Sequence, residues 1–228
     1  MKKSAVRHAI NEPSSVSEGA RAILCAAEQL FAEKGFDAVA ISEIAEKAGV
    51  SKANIFHHFN SKNELYISVL RTACEESAHL LQDLASEAIP FQQRLSNFVD
   101  SHLVNMLDHA LANQLILREL LENGGHRGKE LAEQVFGEHF SRLVLILREG
   151  QKQGILRRNL DSAMLAALLV GANVFFFESR EVLRHFPEVT FADEPAKYNR
   201  MLMDILFNGV LSDPKKSQKT TAKKKNKT

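Results

Sequence analysis

Residues 41–65 read ISEIAEKAGVSKANIFHHFNSKNEL. Small, glycine and aliphatic residues occur in this stretch at the spacing typical of two short helices that cross at a tight turn. Ala45 is small enough for a crossing helix to approach closely. Gly49, four residues later, allows the positive φ of a tight turn between two steeply crossed helices. Val50 and Ile55 then fill the wedge between these helices. The spacing predicts a helix-turn-helix, although short helical hairpins in enzymes have a similar pattern.

Serine and glycine residues predict where the helices around this turn begin and end. The sequence Ser15-Val16-Ser17-Glu18 fits a capping box that starts a first helix, and Gly35 is expected to end it in the left-handed conformation. Ser42 is expected to cap the second helix and Ser51 the third. The sequence Ser61-Lys62-Asn63-Glu64 fits another capping box, which opens a longer helix.

Helical periodicity continues to Leu211, so the chain is predicted to be all-α. Further helices are expected at 91–108, at 115–121 with an end at Gly124-Gly125, over about seven turns to Gly154, at 161–185 and at 196–211. This pattern divides the chain into a flexible basic arm at 1–17, a helix-turn-helix domain at 18–61, a helical domain for ligand binding and dimerisation at 62–211, and a disordered lysine-rich tail at 212–228.

The charge distribution limits how the protein can bind nucleic acid. The net charge is only +1, and the basic residues are concentrated at the two ends, which leaves the body of the chain acidic. Such a body does not coat nucleic acid, so any contact with DNA has to be local or made by the tails. The apolar run 164–177 is too short to span a bilayer, and the first residues lack the apolar core of a signal peptide. The sequence therefore predicts a cytoplasmic protein with no membrane partner.

The third helix carries side chains that suit DNA bases. With Ile55 and Phe59 facing inward, its first turn is expected to present Lys52, Ala53 and Asn54 outward. Lysine is suited to guanine O6 or N7, and asparagine to the adenine edge. The less specific alternative is a solvated helix face.

Residues further along are expected to complete the contact surface. Phe56 offers an apolar face to a thymine methyl, while His57 and His58 end the helix where a phosphate would pass. Lys62, with the free N–H groups at the start of the fourth helix, forms a further anion site. A metal site at the two histidines is disfavoured, because adjacent side chains on a helix point apart.

The stretch from Ala22 to Leu65 resembles the tetracycline-repressor (TetR) family of bacterial regulators. The resemblance rests on Ala26-Ala27-x-x-Leu30-Phe31-x-x-x-Gly35-Phe36, Ile41-x-x-Ile44-Ala45-x-x-Ala48-Gly49-Val50-Ser51 and Ile55-Phe56-His57-His58-Phe59-x-Ser61-Lys62-x-x-Leu65. It implies an all-helical dimeric repressor. By position it implies base-facing Lys52, Ala53, Asn54 and Phe56, and phosphate-facing Ser42, His57, His58 and Lys62. Where Phe56 stands the family usually has tyrosine, and often also where His57 stands, so two phenolic hydroxyls are missing here.

Effector binding is assigned to the second half of the chain. Its richness in Leu, Phe, Met and Val suits an apolar or amphipathic small molecule, in a cavity bounded by helices at 91–108, 113–123, 126–151 and 161–185. The candidate ligand-binding residues are His102, Met106, Arg118, Phe140, Asn173 and Phe177. For His102 and Asn173 the alternative is a core side chain satisfied by a neighbour. At least one ring of Phe175–Phe177 should face a partner chain or the cavity.

Three classes of function compete. A ligand-released repressor, dimeric through about 161–185 and 196–211 and bound to a palindromic double-stranded operator, is favoured by the motif. An architectural DNA-binding protein is suggested only by the basic ends. A helical enzyme would need a nucleophile, an acid–base pair or a metal cluster, and the pattern of residues offers none of these. No cofactor is expected.

Overall fold

The structure is a computed structural model that describes residues 17–75 and 78–208. These residues form helices and connecting segments without strands, which confirms the all-α prediction. The α-helices are α1 (Glu18–Lys34), α2 (Ile41–Ala48), α3 (Lys52–His58), α4 (Lys62–Glu75), α5 (Ala78–Ala85), α6 (Phe91–Asp108), α7 (Ala110–Arg118), α8 (Gly124–Leu131), α9 (Gly137–Lys152), α10 (Ser162–Leu183) and α11 (Pro195–Asn208). Two π-helical turns, π1 (Glu119–Asn123) and π2 (Ala132–Phe136), flank α8.

The helices pack as two compact units. The first joins 17–75 with 109–138, and the second joins 78–108 with 139–208. Leu115, Leu131 and Val135 belong to the apolar core that α1–α4 also build, so burial of these side chains recruits a distant part of the chain to the first unit. The packing units thus cross the expected boundary at residue 62, and the functional division at that boundary stays a prediction.

The first helix of this unit begins at Glu18 with Ser17 as its cap, so the capping box that makes Ser15 the cap is wrong, and the helix also ends differently in detail. The Ser17 hydroxyl accepts a hydrogen bond from the backbone N–H of Ala20 (3.2 Å), which caps α1. Gly35 follows the helix with φ +80° and ψ 166°. The prediction of positive φ is confirmed, but the left-handed conformation is wrong, because the chain extends at once toward α2 through a region open only to glycine.

The cap of α2 lies two residues before the predicted one. The helix begins at Ile41, so Ser42 lies inside its first turn, and the expectation that Ser42 caps it is wrong. The Glu43 carboxylate accepts the backbone N–H of Ala40 (3.0 Å) and pairs with the Lys34 ammonium (2.8 Å). A carboxylate in the first turn also interacts favourably with the helix dipole, so no hydroxyl is required there.

Residues 110–136 stay helical through the two glycines at which the sequence predicts an end. Gly124 has φ −55° and ψ −34°, and the chain continues from π1 into α8. Glycine permits the left-handed conformation without imposing it. Here the burial of Leu131 and the ion pairs of Arg127 hold the segment in helix. The predicted end at Gly124-Gly125 is therefore wrong.

The second unit is built around α6, which packs against α5, α10 and α11. The structure gives α6 the predicted bounds, and the Asp161 carboxylate caps α10 through the backbone N–H of Met164 (2.8 Å). A side chain at Gly150 of α9 would lie 2.8 Å from the Phe91 ring, so glycine is needed for this close approach. The end predicted for the last helix, at Leu211, lies outside the described residues.

One described helix, Ser162–Leu183, is long and apolar enough to cross a membrane by length and composition. The expectation that the apolar run 164–177 is too short concerns only part of this helix, and it stays a prediction. The same test is met by core helices of soluble proteins, and only 28% of the most apolar part of this helix is buried within this chain.

Among the three consecutive phenylalanines of this helix, Phe176 is fully buried, Phe177 is half-buried and Phe175 is 61% exposed.

Candidate nucleic-acid interface

The turn between α2 and α3 has the geometry that the sequence predicts. Gly49 adopts the left-handed conformation with φ +67° and ψ 30°. The Val50 N–H then donates to the Ala45 carbonyl (3.0 Å), which closes the end of α2. The Ser51 hydroxyl accepts from the Asn54 N–H (3.1 Å) and caps α3. The turn and the cap fix the direction in which the first residues of α3 leave the core.

The outer face of α3 is exposed and carries one cation and one large aromatic ring. Ile55 and Phe59 are buried as predicted. Lys52, Ala53 and His57 are exposed, and Phe56 is 51% exposed. A basic side chain, a methyl and an apolar ring on the first two turns of a short helix match the groups that read base edges in a major groove.

Asn54 and His58 are less accessible than the sequence suggests, because both lie beside the start of α1. A Cβ at Gly19 would lie 3.6 Å from His58 Nε2 and 3.9 Å from Asn54 Oδ1. Both side chains are half-buried, and the Asn54 oxygen has no hydrogen-bond partner. Rotation of the Asn54 side chain would free its amide for a base, so its assignment to adenine stays a prediction.

Lys62 and the start of α4 are already engaged within the chain. The Lys62 ammonium donates to the Asp37 carbonyl (3.3 Å) and lies 4.5 Å from the centre of the Phe36 ring. The Glu64 N–H donates to the Ser61 hydroxyl (3.0 Å). Its carboxylate accepts from the backbone N–H of Asn60 (3.0 Å). The expected anion site at this helix start therefore contains a carboxylate of the chain itself, and a phosphate would have to draw the Lys62 ammonium away from Asp37.

A buried polar cluster, which sequence reasoning missed, joins α4 to π1 and α8. The Glu119 carboxylate is 1% exposed, accepts the Tyr66 hydroxyl (2.8 Å) and lies 2.9 Å from the Arg127 guanidinium. Arg127 also donates to the Glu130 carboxylate (2.9 Å) and to the side-chain oxygen Oδ1 of Asn63 (2.8 Å). The cluster anchors the first turns of α4, through Asn63 and Tyr66, to residues more than fifty positions away.

In this cluster, burial and the nearby carboxylate shift the pKa of Tyr66 in the same direction, whereas they shift the pKa of Arg127 in opposite directions. Burial, and then the hydrogen bond to Glu119, raise the pKa of the Tyr66 hydroxyl, which therefore remains a donor. Burial alone would lower the pKa of Arg127, but its hydrogen bond to Glu130 and the charges of Glu119 and Glu130 raise it overall. The sequence offers one signal: Arg118 and Glu119 interrupt an otherwise apolar stretch from Leu115 to Leu121.

The six candidate ligand residues do not share one environment. His102 and Asn173 meet in the second unit, with the Asn173 Nδ2 3.1 Å from His102 Nδ1 and 2.8 Å from the Val99 carbonyl oxygen. Met106 is buried, Phe140 is exposed and Phe177 is half-buried. Arg118 belongs to the first unit, where it donates to the Ala32 carbonyl (3.2 Å) at the end of α1.

The His102–Asn173 pair joins a half-buried ring to a fully buried amide and is only partly satisfied. Because Asn173 donates to it, His102 Nδ1 acts as the acceptor and its proton resides on Nε2. Burial lowers the pKa of His102 to about 4, so the ring is neutral. Asn173 and Asn199 both donate to the Val99 carbonyl, and the carbonyl oxygen of each side chain has no partner. Two acceptors thus remain available inside this unit.

Comparison with known proteins places these features in one family. Residues 23–69 match the family profile described as bacterial regulatory proteins of the tetR family, and residues 92–219 match a tetracyclin repressor-like C-terminal domain. The chain is similar to the uncharacterized HTH-type transcriptional regulator YdeS of Bacillus subtilis, with 32% identity over 66% of this chain and 74% of that protein. It is also similar to the HTH-type transcriptional repressor NicS of Pseudomonas putida, with 27% identity over 82% of this chain and 90% of that protein.

A solved structure of a bacterial regulator has the same fold as this chain. The structure of the fatty acid degradation regulator FadR from Bacillus halodurans superimposes with a TM-score of 0.72 and 19% identity, covering 88% of this chain and all of that one. The two profiles together cover most of the chain, including the helix-turn-helix and, apart from α5, the helices of the second unit. The chain belongs to the TetR family of bacterial DNA-binding transcriptional regulators.

Proposed function

We propose that this regulator is a cytoplasmic repressor that binds a palindromic operator as a homodimer and releases it when a small apolar or amphipathic effector binds. The observation that carries the proposal is the exposed face of α3, held by the Gly49 turn and the Ser51 cap on the buried pair Ile55 and Phe59. A recognition helix needs this combination, in which a rigid inner face fixes the position of side chains that read bases.

The roles of the α3 residues follow from their chemistry and exposure. Lys52 is placed against guanine, Ala53 and Phe56 against thymine methyl groups, and Asn54 against adenine after rotation of its side chain. Ser42, His57, His58 and Lys62 are assigned to the phosphates that flank the groove. Phe56 replaces a hydroxyl-bearing ring of the family, so its contribution here is apolar contact and no phosphate hydrogen bond.

An apolar stripe supports dimerisation through about 161–185 and 196–211. On α10, the side chains of Met164, Leu168, Phe175 and Val182 are all exposed and repeat at helical spacing. On α11, Met201 and Ile205 are likewise exposed. Contiguous apolar surface of this kind is covered in soluble proteins by a partner.

Substitution of one exposed aromatic side chain on α10 tests the proposed dimer interface. The substitution Phe175→Glu is expected to shift the protein to a monomer in sedimentation equilibrium at micromolar concentration. Leu121→Glu is the matched control, since Leu121 is 80% exposed in the first unit and outside the stripe. A dimer that survives Phe175→Glu, or that both substitutions dissociate equally, would place the interface elsewhere.

Effector release is proposed as a population shift. The chain passes between the two units three times, after residues 76, 108 and 138. A ligand bound in the second unit, near His102, Met106, Phe140, Asn173 and Phe177, would favour an arrangement of α4 that separates the recognition helices. Its differential affinity for the two arrangements sets how far operator binding falls. Arg118, hydrogen-bonded within the first unit, is assigned to the same response.

Selection of binding sites from random duplex DNA with the purified full-length chain tests the proposal. The expected outcome is a two-fold symmetric consensus whose half-site centres are one helical turn, about 10 base pairs, or a multiple of it apart. A selected pool without symmetry would contradict dimeric readout. Failure to enrich any sequence would contradict the assignment of α3.

The alternative is an architectural DNA-binding protein, favoured by the basic residues 212–228, which contain seven lysines and lie outside the described residues. A salt titration on random and selected DNA separates the two functions. Removal of 212–228 is expected to flatten the salt dependence of non-specific binding, by about 0.9 in log–log slope for each phosphate that the lysines no longer neutralise, with sequence preference unchanged. Equal affinity for random and selected DNA would favour the architectural function.

A further inference from the structure

A groove of about 420 Å³ opens in the second unit between α5, the turn at 86–90 and the first half of α6. Its apolar lining includes Leu84, Ile89 and Phe98, and its polar lining includes Arg94 and two aspartates. The volume lies within the range of about 300–1,000 Å³ that is usual for small-molecule sites. His102 and Asn173 are not among the residues that line the groove, although the Phe98 ring in its lining stacks on His102, with ring centres 5.9 Å apart.

Arg94 is the unusual residue of this groove, because its guanidinium is buried without a counter-charge. The residue is only 8% exposed, and its Nη1 donates to the Leu84 carbonyl (2.7 Å) at the end of α5. Its Nε is enclosed and has no partner. Within residues 17–75 and 78–208 no carboxylate forms an ion pair with it, although Asp83 and Asp100 line the same groove.

A bound anion would offset the free-energy cost of burying the Arg94 guanidinium without a counter-charge. Enclosing a guanidinium without a negative partner is strongly unfavourable, because the charge gives up its hydration. The carboxyl end of α5 supplies only about half a negative charge. A carboxylate bound in the groove would supply the missing charge and accept from guanidinium N–H groups other than the enclosed Nε, in a partly desolvated setting where charge-assisted hydrogen bonds are strong.

The surroundings restrict which anion fits. The apolar side chains favour a hydrocarbon portion next to the charged group, while Asp83 and Asp100 would repel a second negative charge. We infer that the groove is a ligand site for an amphipathic monocarboxylate, with Arg94 holding its carboxylate and Leu84, Ile89 and Phe98 contacting its chain. This site goes beyond the proposed function, because the effector residues named there are not among the residues that line the groove.

Titration calorimetry of the full-length protein with octanoate tests the inference. Saturable binding is expected, with markedly weaker binding of 1-octanol, which has the same chain and no charge. Equal binding of 1-octanol would overturn the role of Arg94. Preferential binding of octylamine would overturn it too, since the aspartates would then be the recognition groups.

Substitutions in and outside the groove test whether octanoate binds at Arg94. Arg94→Gln is expected to weaken octanoate binding about tenfold or more, as for loss of a hydrogen bond between charged groups. Arg148→Gln, which removes an exposed arginine of the same unit, is the matched control and should leave binding unchanged. Asp83→Asn should tighten binding by removing a repulsive charge. Equal losses in the two arginine variants would mean non-specific attraction and contradict the site.

A second variant keeps the inference testable if Arg94→Gln does not fold. Ser101 is exposed and lines the groove, so Ser101→Phe fills it while Arg94 stays in place. Loss of octanoate binding with an unchanged melting temperature supports the site. Unchanged octanoate binding in this variant would show that the ligand binds elsewhere. Because neither result depends on operator binding, failure here leaves the proposed repressor function intact.

Discussion

Replacement of Arg127 by methionine is expected to destabilise the first unit by about 3 kcal/mol, the lower end of the range for breaking a buried ion pair. The substitution leaves the Glu119 carboxylate, which is 1% exposed, without the guanidinium 2.9 Å away. The Tyr66 hydroxyl and the Asn123 amide, at 2.8 and 3.0 Å, continue to donate to it, which keeps the loss from being larger.

The companion substitution Glu119→Gln is expected to cost less, about 1–2 kcal/mol. Glutamine keeps an acceptor for Tyr66, and Arg127 is 19% exposed at its side chain and retains Glu130. In the double variant the two losses should not add, because Arg127→Met no longer leaves a buried charge behind. A non-additive cycle would assign the energy to the pair itself.

Urea denaturation followed by circular dichroism measures these differences, with Lys129→Met as the matched control on the same helix. The Lys129 side chain is 87% exposed and lies 3.8 Å from the Glu133 carboxylate, so its loss should change stability by less than about 0.5 kcal/mol. Equal effects of Arg127→Met and Lys129→Met would refute the view that the polar cluster anchors α4.

Three further substitutions test other parts of the account. Gly137→Ala should destabilise by about 1–3 kcal/mol in urea melts, since its Cβ would clash with the Ala132 carbonyl oxygen of π2; Gly128→Ala, with open space around it, should stabilise slightly, and equal effects would contradict the packing. Gly49→Ala should cost about 1–2 kcal/mol because φ is +67°; an unchanged melting temperature would contradict the strained turn. His102 has a folded pKa of about 4 against 6.5 for the free group, so the unfolded chain binds more protons between these values and stability falls as pH drops through that window, by up to ~3 kcal/mol. His102→Gln should flatten this slope, and an unchanged slope would contradict the neutral ring.

The local pattern of the sequence predicts the helix-turn-helix well, because its decisive features lie within a few residues of each other. Gly49, Ser51 and the buried pair Ile55 and Phe59 act over distances of one or two helical turns. The cap of α2 is harder to place, because serine and glutamate both satisfy free N–H groups near a helix start. The sequence alone does not state which of the two is used.

Features that depend on distant residues could not be predicted. The partial burial of Asn54 follows from the position of Gly19 on α1, and the polar cluster joins Tyr66 to Glu119 across more than fifty residues. The groove around Arg94 likewise depends on how α5 turns into α6. Helical periodicity reports which face of a helix is apolar, and it does not report which helix covers that face.

Fluorescence-anisotropy titrations of Lys52→Ala and Lys129→Ala on the selected DNA site test whether α3 reads the operator. Both variants lose one exposed positive charge, so the net charge of the protein falls by the same amount. We expect Lys52→Ala alone to lose about 1–3 kcal/mol of specific affinity and to relax preference at one base position. Equal, small losses in the two variants, with sequence preference intact, would contradict it.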